Sequence, residues 1–294
     1  DVNVTSAAPI TAIRAGFWGN GDSVSEAVKA PYVRLVHAFG NFTPGLQLTG
    51  AGAPAHRAIG QLIVLGLVGG IWNIPAGVSS LSISGSESDF NATFASPLRS
   101  VSSKTSFSGT LTAPSIGTFK ARGDFNRAHI ILTAPYAAGK LDLGSLIAGG
   151  TFTNSQVFST GSIGSVSAAD MLGGVLYAGI GTLPVGMLLP QTISDFVAPA
   201  SIEAVTLHPK GKTVGFVNSV ITALAVGKLQ LASTSVGDGG IPFGVVAHSI
   251  GAFEASNSVP KEKFNFSNLT SPAQLSASVA SQNLTLGDLN IILL

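Results

Sequence analysis

The sequence predicts an all-β solenoid of about eleven coils with loop insertions, running through residues 1–294 as a single domain. Three observations predict it. A short phrase recurs: an aliphatic residue, Gly, any residue, a hydrophobic residue, any residue, then a small or aliphatic one. A Phe returns at a fixed distance behind several copies of that phrase. The intervening letters alternate with a period of two, and no apolar period of 3.6 residues is sustained anywhere.

The phrase itself comes first. Six copies carry the Gly: Ile59-Gly60-Gln61-Leu62, Ile116-Gly117-Thr118-Phe119, Leu143-Gly144-Ser145-Leu146, Ile163-Gly164-Ser165-Val166, Val226-Gly227-Lys228-Leu229 and Ile250-Gly251-Ala252-Phe253. Relaxing the Gly adds Ile10 to Ile13, Val33 to Val36, Val78 to Leu81, Leu98 to Val101 and Ile202 to Val205. Eleven rungs result, mostly 18 to 27 residues apart, with one longer interval between Ile163 and Ile202. Phe42, Phe125 and Phe152 each stand nine residues after the first aliphatic of their rung, so they mark equivalent places in different turns. Between phrase and Phe, the set Phe119, Ala121, Gly123 and Phe125 alternates with Lys120, Arg122 and Asp124. Period two means strand, with the first set inward and the second outward. A sandwich would place turn signals every ~8–12 residues and would not repeat one phrase. Parallel strands stacked coil on coil fit better, with unequal spacing absorbed by loops at the corners. The longest of these, 172–200, is expected to form a loop insertion or small lobe.

Composition narrows the function classes. Hydrophobic residues make up 45% of the chain and charged residues 10%, against a typical ~25% charged. The surface must therefore be covered largely by Ser, Thr, Asn and Gly. The net charge is +1 and the 15 Lys and Arg are scattered, which leaves no electrostatic footprint for nucleic acid or an anionic membrane. Two apolar stretches, 58–78 and 171–190, approach the length of a spanning helix. Both are broken by Gly and Pro and neither has a cationic flank, so they read as buried strands and no membrane insertion is expected. The absence of Cys excludes disulfides, thiolate metal sites and a Cys nucleophile. Few charges, much Ser, Thr and Gly, and a start at Asp1 suggest a mature exported chain, secreted or held at a bacterial cell surface. Asn3, Asn41, Asn91, Asn265, Asn268 and Asn283 head Asn-x-Ser/Thr sequons, which a host with that machinery could glycosylate.

The runs "GGVLYAGIGTLP", "SIEAVTL", "ALAVGKLQLASTSVGDGGIPFGVVAHSIGAFEA" and "GDLNIILL" resemble the repetitive β-helical regions of large secreted or surface proteins of Planctomycetes and Verrucomicrobia. The resemblance covers most of residues 98–294. It implies a right-handed parallel β-helix and export, and it transfers no catalytic residue.

Candidate chemistry is sparse. Glu87 and Asp89 form the nearest carboxylate pair and read as a solvated corner. The five His fall at unrelated offsets without HxH or HExxH spacing, so no metal and no cofactor are expected. No GxSxG elbow occurs. Residues 237–240, "GDGG", read as a turn, and the Arg-Gly-Asp at 122–124 is expected to lie within a strand. Lys104, Lys120, Arg122 and Asp124 share one outer face, Lys104 having the same offset in its turn as Arg122. That patch is the best place for a carbohydrate contact. The leading expectation is a non-enzymatic extracellular structural protein, a surface-layer, matrix or filament component. A carbohydrate-active enzyme or a passive polysaccharide-binding module is the alternative. The expected partner is a second copy, reached through terminal strands: Val2 and Val4 alternate with Asn3 and Thr5, and the sequence closes on apolar Asn290–Leu294. Folding of that last strand back along the rod is the competing outcome.

Overall fold

The computed structural model describes residues 3–19, 26–54, 58–75, 78, 80–86, 89–180, 189–209, 215–234, 243–257, 262–282, 286 and 289–294. The side chain of Asn257 is not described. The chain is an all-β parallel β-helix, with 27 strands among the described residues. The predicted rungs are neighbours in register: Ile10 on Val33, Val33 on Ile59, Leu98 on Ile116, Ile116 on Leu143, Leu143 on Ile163, Ile163 on Ile202, Ile202 on Val226 and Val226 on Ile250. Val78 takes its place between Ile59 and Leu98 through the adjacent pairs Val64 with Ile83 and Leu81 with Val101. A second sheet of equal extent runs from Val4–Thr5 to Leu289–Leu293 along another side of the rod. A narrow strip joins the two, built on Trp18, Phe42, Val68, Phe107, Phe125, Phe152, Met171 and Phe216.

The Gly of the phrase has a steric cause. A Cβ at Gly117 or Gly251 would stand 2.6 Å from the carbonyl oxygen of Arg99 or Gly227 on the neighbouring coil, and one at Gly60 would stand 2.5 Å from that of Arg34. Gly144, Gly164 and Gly227 are tighter still, against Gly117, Gly144 and Glu203. The rung can lie this close only where the second residue has no side chain.

Inside the rod the apolar letters stack. Ile116, Phe119, Phe125, Ile163, Val166, Ile250 and Phe253 are all buried. Aromatic rings form a continuous file from Trp18 through Phe42, Trp72, Phe90, Phe107, Phe119 and Phe125 to Phe152, with successive centroids 4.8–6.3 Å apart. Most meet edge-on, the arrangement favoured by ring quadrupoles and worth ~0.5–1.5 kcal/mol per pair beyond burial.

The joining strip turns into the second sheet through a left-handed residue. Gly70, Gly109, Arg127, Asn154, Gly173 and Asn218 each stand two places after the strip residue of their coil, and φ at these positions lies between 46° and 85°. Gly and Asn tolerate that region; Arg does not. The hydroxyls of Ser155 and Ser219 follow two of these corners, are fully buried, and accept the N–H of Ala128 at 2.9 Å and of Gly174 at 3.0 Å on the preceding coil.

Several features depart from the sequence expectation. The strand Ile116–Ala121 ends before Arg122, so residues 122–124 form a corner and do not extend the strand. Coil-to-coil hydrogen bonding nevertheless continues through the bend, Arg122 N–H to Ser103 at 3.1 Å and Gly123 N–H to Thr105 at 3.1 Å, which is why the apparent alternation runs on to Phe125. Lys263–Leu269 reverses direction and pairs antiparallel with Ser249–Asn257. It is followed by a helix, Pro272–Gln282, which lies against the reversed strand. Ser271 accepts the N–H of Gln274, whose side chain in turn accepts the N–H of Thr270 at 2.7 Å, a variant of the capping box. Leu275 and Val279, one turn apart, pack on the core. Leu289–Leu293 pairs in parallel with Phe243–Ala247 of the same chain and adds one more strand to the second sheet. Val2, of the expected first strand, lies outside the described residues.

Within 172–200, Leu172 and Val175–Ala178 belong to the stacked coils, and residues 181–188 lie outside the described residues. Ile180 bridges Phe196, and Leu189 packs over Val175, Tyr177, Val220 and Val246 on the outside of the second sheet. Of the two apolar stretches, Ile59–Val68, Ile71–Ile74, Met171–Leu172 and Val175–Ala178 are strands, and residues 76, 77 and 181–188 lie outside the described residues. Among the described residues no helix is long and apolar enough to cross a membrane.

Candidate functional site

Lys104, Lys120 and Arg122 are exposed. Lys104 and Arg122 follow the paired residues Ser103 and Ala121 and so occupy equivalent corners of adjacent coils, and Lys120 lies beside Ser102 on the preceding strand pair. Asp124 does not join them as a free carboxylate. It is half-buried, its Oδ1 accepts the N–H of Thr151 on the next coil at 2.7 Å, and its own N–H donates to Ser106 Oγ at 3.0 Å. Asn41 has the same task at its coil, accepting the N–H of Leu67 at 3.0 Å.

A second carboxylate works the same way more deeply. Asp142 is an extra residue bulged out of the register between Leu141 and Leu143 and is only 4% exposed. Its Oδ2 accepts Gly161 N–H at 2.8 Å and Ser159 Oγ–H at 3.0 Å, both from the neighbouring coil. Burial pushes its carboxyl above the ordinary carboxylate range, and the hydrogen bonds from Ser159 and Gly161 pull against that shift without cancelling it.

Of the sequon asparagines, Asn41 is half-buried and engaged as above, and Asn3 is exposed but accepts the N–H of Ala27 at 2.9 Å. Asn91, Asn265 and Asn268 are exposed on strands. Asn283, Glu87 and residues 237–240 lie outside the described residues.

A concavity lies elsewhere. A groove of about 460 Å³ opens on the outer face of the rung sheet near its last coils. Outward residues at one register position line it: Thr206, Gln230 and Glu254 on parallel strands, then Asn265 opposite Glu254 on the reversed strand. His208, Lys263 and Ala232 also line it, together with the core residues Leu207, Ala255 and Phe264 beneath. Gln230 Nε2–H donates to Glu254 Oε2 at 3.0 Å. The hollow coincides with a bulge between Gln230 and Ser233, where Ala232 is held left-handed at φ 56°. Bulges of this kind bend a strand and re-aim its side chains.

Sequence reasoning did not find this groove. Glu254 is the sixth letter of "SIGAFEA", the outward position that Lys120 and Ser167 occupy in the sister phrases, and it reads there as a free surface letter. Among the described residues no three His, Asp or Glu are grouped to hold a metal ion. No family model, no curated protein and no solved structure matches the chain.

Proposed function

We propose that the chain is a non-enzymatic structural rod of an extracellular or cell-surface assembly, of the surface-layer, matrix or filament kind. What carries the reading is the placement of its interior and corner polar groups. Asp124, Asp142, Ser155 and Ser219 each hold a backbone N–H of an adjacent coil, and the aromatic file runs through the core from Trp18 to Phe152. Side chains fixed to neighbouring coils stiffen a stack whose stability is a sum of nearest-neighbour terms. In this reading copies associate through the outer edges of their terminal strands, since an unpaired edge recruits other chains.

The test has two arms. Purified protein incubated with neutral and acidic polysaccharides should release neither reducing nor unsaturated ends, and release of either overturns the reading. Antibody labelling of the native host should place the protein at the cell surface or in the surrounding matrix; a cytoplasmic location overturns it.

A further inference from the structure

We propose that the groove beside the last rungs is a binding subsite for a neutral polysaccharide, gripped by Gln230, Glu254 and Asn265. This goes beyond the structural reading, because a rod without any glycan contact satisfies that reading equally well.

The groove has the size of a ligand site, which is typically ~300–1,000 Å³. Its walls come from strands remote in sequence that the coil brings to one register position. Its makeup suits a sugar ring, which offers apolar C–H faces and hydroxyl edges. Ala232, half-buried at the bulge, is a small lining residue over which a ring can lie, while the rim supplies acceptors and donors at neighbouring strand positions. Glu254 is an acceptor. Gln230 uses one N–H to orient Glu254 at 3.0 Å and keeps a second N–H and its carbonyl oxygen for a ligand. Asn265, directly opposite Glu254 in the antiparallel register, adds a donor and an acceptor on the far side. A carboxylate and a carboxamide on adjacent strands match a pair of vicinal hydroxyls. The bond between them fixes the carboxylate before a ligand arrives, which lowers the entropic cost of binding.

Charge selects among glycans. The lining carries one carboxylate, Glu254, and one ammonium, Lys263, beside the imidazole of His208 and otherwise uncharged groups, so it offers no strong net field to a polyanion. A uronate placed over Glu254 would meet a like charge, whereas an uncharged sugar meets only hydrogen-bonding partners.

The full chain should be produced in a host without N-glycosylation, because Asn265 heads a sequon and a glycan there would fill the groove. Affinity electrophoresis then uses hydroxyethylcellulose, galactomannan and polygalacturonate as probes. At least one of the two neutral polymers should retard the protein and polygalacturonate should not. Glu254→Ala and Gln230→Ala should each weaken retardation by about tenfold, the usual effect of losing one hydrogen bond involving a charged group, with melting unchanged. Absence of retardation in both neutral gels, wild-type retardation of both variants, or preference for polygalacturonate each overturns the proposal. Release of reducing ends by a wild-type chain whose retardation depends on Glu254 and Gln230 would leave the subsite standing and overturn the non-enzymatic reading instead.

Discussion

Replacing Arg127 by Asn should stabilise the rod. Arg127 has φ 52° at a corner where the residues in register with it on later coils are Asn154, Gly173 and Asn218, and Gly70 and Gly109 stand at the same distance from the strip on earlier ones. A residue with a Cβ in the left-handed region costs roughly 1–2 kcal/mol, and Asn recovers part of that because its short side chain bonds to nearby backbone. The Arg127 side chain is exposed, so little packing is lost with it. The net gain should be about 0.5–1 kcal/mol. Arg127→Gly removes more strain but loosens the unfolded chain by about 0.5–1 kcal/mol, so it should gain less. Arg127→Ala keeps the strain and removes only the guanidinium, so it should sit near wild type. Urea midpoints followed by far-ultraviolet circular dichroism, at unchanged slope, rank the four proteins. The expected order is Asn, then Gly, then wild type level with Ala. If Asn and Ala are both destabilised by about 1 kcal/mol or more, the guanidinium and not the corner sets the energy here, and the reasoning fails.

Phe125 is fully buried, with ring centroids 5.0, 5.9 and 6.0 Å from Phe119, Phe152 and Phe107; Phe125→Ala should cost about 3–5 kcal/mol, and an unaltered melting curve would refute the stacking register. Gly144→Ala would drive a methyl into the Gly117 carbonyl and should cost about 1–3 kcal/mol, while Gly16→Ala, with nothing within 4 Å of the new methyl, serves as the control; equal midpoints for the two variants would contradict the steric account. Asp142 holds its proton more tightly folded than unfolded. Its contribution is therefore fully present below the ordinary value near 3.8 and lost as pH rises through the raised folded value. Asp142→Asn keeps an acceptor for Ser159 and Gly161 and removes that titration, so its melting temperature should vary less than wild type's from near 3.8 upward; identical profiles would show that Asp142 does not titrate in this window.

The rungs were legible because their cause is local and repeated. Ile116, Leu143 and Ile163 each need a Gly after them, since a neighbouring carbonyl leaves no room for a Cβ, and that necessity writes the same letters coil after coil. Phe42, Phe125 and Phe152 were legible for a related reason, being fixed in offset by the path from rung to corner. The end of the strand at Ala121 was not, because inward and outward alternation continues through a bend that keeps its coil-to-coil hydrogen bonds. The corners had a readable signature that went unread: Phe-Thr-Asn-Ser at 152–155 and Phe-Val-Asn-Ser at 216–219 place the left-handed Asn and the buried Ser identically. Ser271-Pro272-Ala273-Gln274 likewise spells a helix start, but only Leu275 and Val279 give the helix an apolar stripe. Reversal of Lys263–Leu269 has no local signal at all. The groove was invisible for that reason, since Thr206, Gln230, Glu254 and Asn265 become neighbours only through register and reversal.

The aromatic file has a consequence for spectroscopy. The chain's two tryptophans, Trp18 and Trp72, both sit at its N-terminal end, and every later ring in the file is phenylalanine. Indole emission therefore reports on the first few coils and is blind to the rest. Dichroism, by contrast, counts strands along the whole length. A stack of nearest-neighbour units is free to unravel from one end, so the two signals need not coincide. Emission lagging behind dichroism on heating would mean that the chain opens first at the coils near Phe243–Ala247; emission leading would place the first opening beside Trp18.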